Sequence, residues 1–119
     1  MAFYRDQHYD NAIQKVRINV GKELNMEKEE DAYVVFREPS EKDVLRMKDT
    51  KDSIDRLDFF RALFEKSVEA HNFFEKEGVR MEDKAVIALL YEKIETTDKL
   101  IKEYSEKVFL SRVKAKDVK

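Results

Sequence analysis

Residues 52–78 read DSIDRLDFFRALFEKSVEAHNFFEKEG, and they hold five of the eight phenylalanines of the chain. On a helix with about 100° between successive residues, the apolar side chains form two adjoining stripes and the charged ones lie opposite. This apolar arc covers about half of the circumference, more than the roughly 100° that a surface helix needs. The stretch therefore predicts a central helix from about Asp52 to Lys76, with Gly78 as the glycine that ends it.

Two interpretations of the wide apolar arc stay open. In the first, both stripes are buried, between the N-terminal element and the C-terminal helix. In the second, one stripe stays exposed for a partner protein, and a charge at Phe59 or Phe73 weakens binding without unfolding the chain. The candidate partner-binding residues are one stripe and two aromatic residues expected nearby: Phe59, Leu63, Phe73, Phe74, Tyr91 and Phe109.

An antiparallel β ribbon is predicted on the N-terminal side of this stretch, over residues 14–38. KVRINV at 15–20 alternates apolar and polar residues, and AYVVFR at 32–37 is rich in β-branched and aromatic residues. The connection between them is too short for a parallel crossover. Leu24 and Met26 continue the alternation and suggest a further short strand.

Helices are predicted for the rest of the chain. Pro39 ends the ribbon, and Ser40 is the expected N-cap of a short helix; Thr50 or Asp52 is the expected N-cap of the central helix. From about residue 82 a single helix of about 30 residues is expected, with a bend allowed at Thr96–Thr97. Its apolar seam indicates packing on the central helix or, alternatively, self-association, and it consists of Val86, Leu90, Ile94, Thr97, Ile101, Tyr104 and Val108.

The sequence thus predicts one domain that is mainly α within the α+β class: a helical domain with a small N-terminal antiparallel β ribbon. Its parts are an arm at 1–13, the β ribbon at 14–38, helices at 40–112 and a tail at 113–119. A chain of 119 residues suits one domain with one core. Equal hydrophobic and charged fractions, 42% each, favour a folded helical protein over a disordered one.

Several classes of chemistry find no support in the sequence. No catalytic motif is present, so we expect no enzyme, no cofactor and no small-molecule substrate. The chain has no cysteine, and its two histidines, His8 and His71, lie far apart, so no metal site is expected. His71 is expected to be buried and hydrogen-bonded instead. The N-terminus has no signal peptide, and the longest apolar run, at 85–91, is too short to cross a membrane.

Nucleic acid is not an expected partner either. The chain carries 24 basic and 26 acidic residues, for a net charge of -2, and this balance gives no general attraction to phosphates. Lys15, Arg17 and Lys22 near the strands, together with the basic tail, leave a DNA-binding regulator as a minor hypothesis. That hypothesis predicts binding to duplex DNA that weakens as salt increases.

Two segments resemble a known family. YVVFREPSEKDVLRM at 33–47 reads as a strand, a turn and a short helix, and AHNFFEKEGVRMEDKAVIALLYEKIETTDKLIKEY at 70–104 reads as a helix end, a glycine-containing loop and a long helix. Together they resemble the tail assembly chaperones of long-tailed bacteriophages and prophages, over about residues 14–110. Residues 37–40 (REPS) and 71–73 (HNF) carry most of this resemblance.

The resemblance implies a non-enzymatic role during virion assembly, in the cytoplasm of the host bacterium. Such chaperones bind the tape-measure protein, a long helical chain, and keep it soluble until tail-tube subunits polymerise around it. Tail-tube subunits are therefore further candidate partners. The alternative function is a small self-associating helical structural or regulatory protein of phage or prophage origin, a homo-oligomer joined through the seam from Val86 to Val108.

Overall fold

The computed structural model describes Ala2, Tyr4, residues 15–50 and residues 53–117, with only the backbone at Ser53 and at 110–117. Most of the predicted arm at 1–13 and the end of the predicted tail lie outside the described residues. The fold belongs to the α+β class, which confirms the prediction. Its elements, in chain order, are β1 (Lys15–Asn19), β2 (Tyr33–Arg37), α1 (Glu41–Asp49), α2 (Ser53–Ser67), β3 (Val68–His71), β4 (Phe74–Lys76), β5 (Val79–Arg80), α3 (Asp83–Leu90) and α4 (Ile94–Asp117).

The predicted ribbon is confirmed as the antiparallel pair β1 and β2. Val16 lies opposite Phe36, and Ile18 lies opposite Val34. All four side chains are buried, because alternate residues of a strand point to the same face of a sheet. The ribbon thus supplies one wall of the core.

The connection between β1 and β2 differs from the prediction. Residues 22–24 and 29–31 form 3₁₀ turns, so the short strand expected at Leu24 and Met26 is wrong. Gly21 lies where the connection folds back on itself, and its N–H donates to the Glu29 carbonyl at 2.9 Å. A Cβ at this position would lie 2.0 Å from the carbonyl oxygen of Lys28, so the close backbone approach requires glycine.

The prediction of one central helix up to Lys76 is wrong beyond Ser67. The chain leaves α2 and forms β3, which pairs antiparallel with the second edge of β2, with Ala70 opposite Val35. An open strand edge leaves N–H and C=O groups without partners, and pairing satisfies them. The apolar residues of this stretch suit a strand as well as a helix. The free edge of β2 therefore determines that the stretch forms a strand.

Asn72 ties the end of β3 to the start of β2. Its Oδ1 accepts a hydrogen bond from the Tyr33 N–H at 2.9 Å, and its Nδ2 donates to the Asp31 carbonyl at 2.8 Å. The chain then forms the hairpin of β4 and β5. Gly78, at φ +81°, lies in the turn of this hairpin and does not end a helix as predicted.

The predicted start of α1 is confirmed, since Ser40 Oγ accepts a hydrogen bond from the Asp43 N–H at 3.2 Å. Thr50 is not the N-cap of α2; it ends α1, and its Oγ1 donates to the Arg46 carbonyl at 2.7 Å. Asp52, the other N-cap candidate, lies outside the described residues. Both ends of α1 are therefore capped by hydroxyl side chains.

The single C-terminal helix of the prediction is in fact two helices, α3 and α4, separated at residues 91–93. The hydroxyls of Thr96 and Thr97 both donate to the Leu90 carbonyl, and they also reach the Lys93 carbonyl at 2.9 and 3.0 Å. The bonds to Leu90 satisfy a carbonyl that the break between the helices frees from helical pairing. At its other end α4 continues to Asp117, beyond the predicted boundary at residue 112.

The core contains a cluster of aromatic rings drawn from three elements. The Tyr104 ring of α4 lies edge-on to Phe64 of α2, with 5.2 Å between centroids, and edge-on to Phe36 of β2 at 5.7 Å. The Tyr104 hydroxyl donates to the Arg37 carbonyl at 3.2 Å. Helix α4 thus packs against both α2 and the sheet, which also contact each other through Phe64 and Phe36.

The seam from Val86 to Val108 lies almost entirely inside this core. Every residue of the seam is buried except Ile94, which is 64% exposed. The seam therefore packs within the chain, as the first of the two interpretations holds, and its burial argues against the alternative that it joins two copies. Within the part of the chain that the structure describes, no helix combines the length and the apolar character needed to cross a membrane.

Candidate protein-binding groove

The six predicted partner-binding residues do not form one surface. Leu63 and Phe73 are buried in the core, whereas Phe74 is exposed on the β4–β5 hairpin. The predicted stripe assumed that all of them lie on one helix, and the chain leaves that helix at Ser67. A charge at Phe73 is therefore expected to unfold the chain, which corrects the expectation of a folded binding variant.

The other three predicted residues are half-buried aromatic side chains at separate places. The Phe59 ring packs against Phe60, with 5.4 Å between centroids. The Tyr91 hydroxyl donates to the Leu57 carbonyl at 3.3 Å, and burial raises the pKa of its phenol. The ammonium of Lys48 on α1 lies 5.6 Å from the centre of the Phe109 ring. The Tyr91 and Phe109 contacts join different elements, whereas the Phe59 contact lies within α2. A binding role for the exposed parts of these three residues stays a prediction.

An open groove of about 710 Å³ runs between the N-terminal half of α2 and α4. Its apolar lining consists of Leu57, Ile94 and Ile101. Ile94 is 64% exposed, and Ile54, one helical turn before Leu57, is 71% exposed. The groove therefore presents one large aliphatic side chain, Ile94, to solvent beside a floor formed by half-buried Leu57 and buried Ile101. Ile54 adds a second exposed apolar side chain on α2, outside the lining.

Two contacts join α2 to the C-terminal part of the chain beside the groove. The Tyr91 hydroxyl donates to the Leu57 carbonyl, and the Phe64 ring packs on Tyr104. Arg56 of α2 also lines the groove. Its guanidinium is 4.9 Å from the centre of the Phe60 ring.

Charged side chains of alternating sign border the apolar floor. Asp98, Lys102 and Glu106 follow one another at intervals of four residues on α4, and Arg56 precedes them on α2. None of the four makes an ion pair with another described residue within 4.0 Å. Their charges are thus available to a molecule that enters the groove.

The neighbouring row of charges on α4 serves the fold. Lys99 Nζ lies 2.6 Å from a Glu23 oxygen and 2.9 Å from a Glu29 oxygen, and so ties α4 to the connection between β1 and β2. Burial disfavours the charged form of Lys99, but hydrogen bonds to the two carboxylates outweigh this effect and raise its pKa. Lys107 Nζ donates to the Arg17 carbonyl at 2.6 Å. The row that faces the groove has no such partners among the described residues.

His71 is buried and hydrogen-bonded, as predicted, but it lies at the end of β3 and not on a helix. Its Nδ1 accepts the Phe73 N–H at 3.0 Å, and its Nε2 lies 3.5 Å from an Asp83 oxygen. Burial and the nearby charge of Arg80 lower the pKa of His71, and Asp83 opposes the shift. The ring is therefore neutral at pH 7 and supports the base of the hairpin.

The basic residues of the sheet are engaged within the chain. Arg37 Nε lies 2.7 Å from a Glu69 oxygen, and Lys15 Nζ lies 3.8 Å from the other oxygen of the same carboxylate. The Arg17 guanidinium lies 4.0 Å from the centre of the Tyr33 ring. These contacts partly neutralise the positive charge that the DNA-binding hypothesis requires.

Binding is the chemistry that the groove suits best. Its lining contains one hydroxyl, that of Ser105, and neither histidine nor cysteine. Among the described residues, no group of three histidine, aspartate or glutamate side chains is placed to hold a metal ion. An apolar floor with charged borders fits an amphipathic helix.

The sequence did not indicate Ile94 as a site residue. Its spacing placed it in the buried seam, and the break at residues 91–93 brings it to the surface instead. Comparisons of the chain with protein-family models, with curated proteins and with solved structures find no match. Function is therefore inferred from the groove and from its residues.

Proposed function

We propose that this chain is a non-enzymatic assembly chaperone that binds an amphipathic helix of a partner protein in the groove between α2 and α4. The observation that carries the proposal is the exposure of Ile94 in the lining of the groove, beside the floor formed by Leu57 and Ile101. Apolar side chains grouped at the surface and bordered by polar residues are typical of protein-interaction sites.

The dimensions of the groove suit a short length of helix. Its lining on α4 runs from Ile94 to Glu106, which at 1.5 Å per residue spans roughly 18 Å. About three helical turns of a partner fit along this distance, enough for apolar anchors at positions i, i+3 or i+4, and i+7. The charged borders then meet polar side chains beside those anchors.

The partner is inferred from the resemblance to tail assembly chaperones of long-tailed phages. In that family the client is the tape-measure protein, whose long helical chain offers many amphipathic segments, and tail-tube subunits are second candidates. Binding would take place in the cytoplasm of the host bacterium, before the tail is complete. A surface rich in both signs of charge, in a chain with 42% charged residues, helps keep such a complex soluble.

The test is co-expression with the long helical protein encoded just downstream in the same gene cluster, followed by affinity pull-down. We expect the partner to be soluble and to co-purify only when this chain is present. Ile94→Glu places a charge at the exposed apolar residue of the groove and is expected to abolish co-purification. Leu45→Glu is the matched control, because Leu45 is 60% exposed on α1 and does not line the groove.

Two results would contradict the proposal. The first is a partner whose solubility does not depend on this chain, and this result would remove the chaperone function. The second is equal loss of binding with Ile94→Glu and Leu45→Glu, or retained binding with both, and this result would remove the groove as the site. Circular dichroism of each purified variant checks that its fold is unchanged.

A further inference from the structure

From the hydrogen bond between His71 and Phe73, we infer that His71 is a proton-sensitive latch: protonation of its ring releases the β4–β5 hairpin while the rest of the chain stays folded. This inference does not depend on the proposed phage function. Three features carry it: the exposure of the hairpin, its attachment at Phe73 and the charges at its base.

The hairpin has no covered face. Every residue of β4 and of β5 is exposed, including the large apolar side chains of Phe74 and Val79. A two-stranded hairpin by itself is only marginally stable in water. The position of this hairpin therefore depends on how its two ends are attached to the body of the protein.

Both ends of the hairpin meet at Phe73, the residue directly before β4. Its side chain is buried in the core, and its carbonyl accepts a hydrogen bond at 3.0 Å from the N–H of Met81, the residue directly after β5. Its own N–H donates to Nδ1 of His71, also at 3.0 Å. The His71 ring thus holds the residue that closes the base of the hairpin.

The direction of this hydrogen bond makes it sensitive to protonation. A ring nitrogen that accepts a hydrogen bond carries no proton, so the proton of the neutral ring is on Nε2, which lies 3.5 Å from an Asp83 oxygen. In the cation both nitrogens carry protons. The Nδ1 proton would then point at the Phe73 N–H, and a buried N–H that loses its acceptor is costly.

The charges around the ring direct the movement toward the hairpin. Among the described residues, Arg80 of β5 and Asp83 of α3 act on His71, and the residue opposite it on β2 is the uncharged Val34. Asp83 attracts the cation but lies outside the hairpin, so it keeps the ring in place. Arg80 repels the cation and belongs to the hairpin, so release of the hairpin relieves the repulsion.

The sign of the pH dependence follows from the packed ring. Burial and the charge of Arg80 lower the pKa of His71 while the hairpin is attached. Release exposes the ring to water and lets the pKa return toward about 6.5. The attached state is therefore fully favoured above about pH 6.5 and loses this advantage as the pH falls toward the lower pKa.

The test is amide hydrogen exchange of the full chain, measured by NMR at about pH 7.5 and about pH 5, with each rate divided by the intrinsic rate at that pH. We expect the protection of the Phe73 and Met81 amides to fall about three- to tenfold at the lower pH, as the loss of one hydrogen bond implies. The amides of Val20 and Val44, bonded at 2.8 and 3.0 Å outside the hairpin, should keep their protection. Unchanged protection at Phe73 and Met81, or an equal loss at all of these amides, would overturn the inference.

His71→Asn is the matched variant, because the Asn side-chain oxygen accepts the Phe73 N–H as Nδ1 does and does not titrate. Its Phe73 and Met81 amides should be equally protected at both pH values. Arg80→Gln changes only an exposed side chain and removes the repulsion, so it should lose less protection in acid than the parent chain does. A loss in either variant as large as that of the parent would overturn the latch.

Discussion

Asn72→Ala should destabilise the protein by removing the side chain that joins β3 to β2. Two hydrogen bonds are lost, one from the Tyr33 N–H at 2.9 Å and one to the Asp31 carbonyl at 2.8 Å. Each bond of this kind contributes a net 0.5–1.5 kcal/mol, so we expect the free energy of unfolding to fall by about 1–3 kcal/mol. For a chain of this length the melting temperature would fall by roughly 4–12 °C.

The assay is equilibrium unfolding in urea, followed by far-UV circular dichroism. The midpoint should fall while the dependence of the free energy on urea concentration stays unchanged, because the folded chain remains compact. Asn19→Ala is the matched control. The Asn19 amide accepts one exposed hydrogen bond, from Arg17 Nε at 3.1 Å, so its loss should cost less than about 0.5 kcal/mol.

The reasoning is refuted if Asn72→Ala costs no more than Asn19→Ala. In that case water would replace both lost bonds without cost, and the pairing of β3 would depend on the ladder hydrogen bonds alone. A cost well above 3 kcal/mol would also be informative, because it would indicate that the whole hairpin detaches with the side chain.

Three further predictions concern stability measured in the same assay. Burial lowers the pKa of His71 in the folded chain. The stability that neutral His71 contributes is therefore complete above about pH 6.5, the pKa in the unfolded chain, and declines as the pH falls toward the lower pKa of the folded chain. The difference in unfolding free energy between the parent and His71→Gln should narrow between pH 7 and pH 5, and a constant difference would contradict this. Lys99→Met leaves the Glu23 and Glu29 carboxylates without their shared cation and should cost about 1–2 kcal/mol, less in 0.5 M salt, with Lys102→Met as the near-neutral control. Gly21→Ala would place a Cβ against backbone oxygen and should lower the free energy of unfolding by about 1–3 kcal/mol. Gly78→Ala should cost less, because its Cβ would have no neighbouring atom and only the left-handed backbone would be strained. The reverse order of the two costs would contradict the close approach at Gly21.

Local features of the sequence predicted much of the fold correctly. The alternation at 15–20 and the β-branched and aromatic residues at 32–37 predicted both strands of the ribbon, and Ser40 predicted the start of α1. These signals act between residues that are neighbours in the chain, so no tertiary information is needed to interpret them. The α+β class follows from the same signals.

The end of α2 at Ser67 was not predictable in the same way. The residues of 68–71 suit a helix by spacing and a strand by alternation, and the free edge of β2 decides for the strand. The resemblance drew attention to His71, Asn72 and Phe73, and the structure shows all three in structural roles at this junction. Their contacts reach residues about 40 positions away, as in the bond between Asn72 and Tyr33.

The sequence by itself determined which side chains are apolar, where strands alternate and where α1 is capped. Only the tertiary structure decided which segments cover those side chains. In the structure Leu63 and Phe73 are buried, although the sequence predicted that they bind a partner. Ile94 is exposed, although the sequence placed it in the apolar seam. The physical reason is that the burial of a side chain depends on which segment covers it. Here the free edge of β2 and the break between α3 and α4 decide which segments cover these side chains. Periodicity along the sequence reveals neither feature.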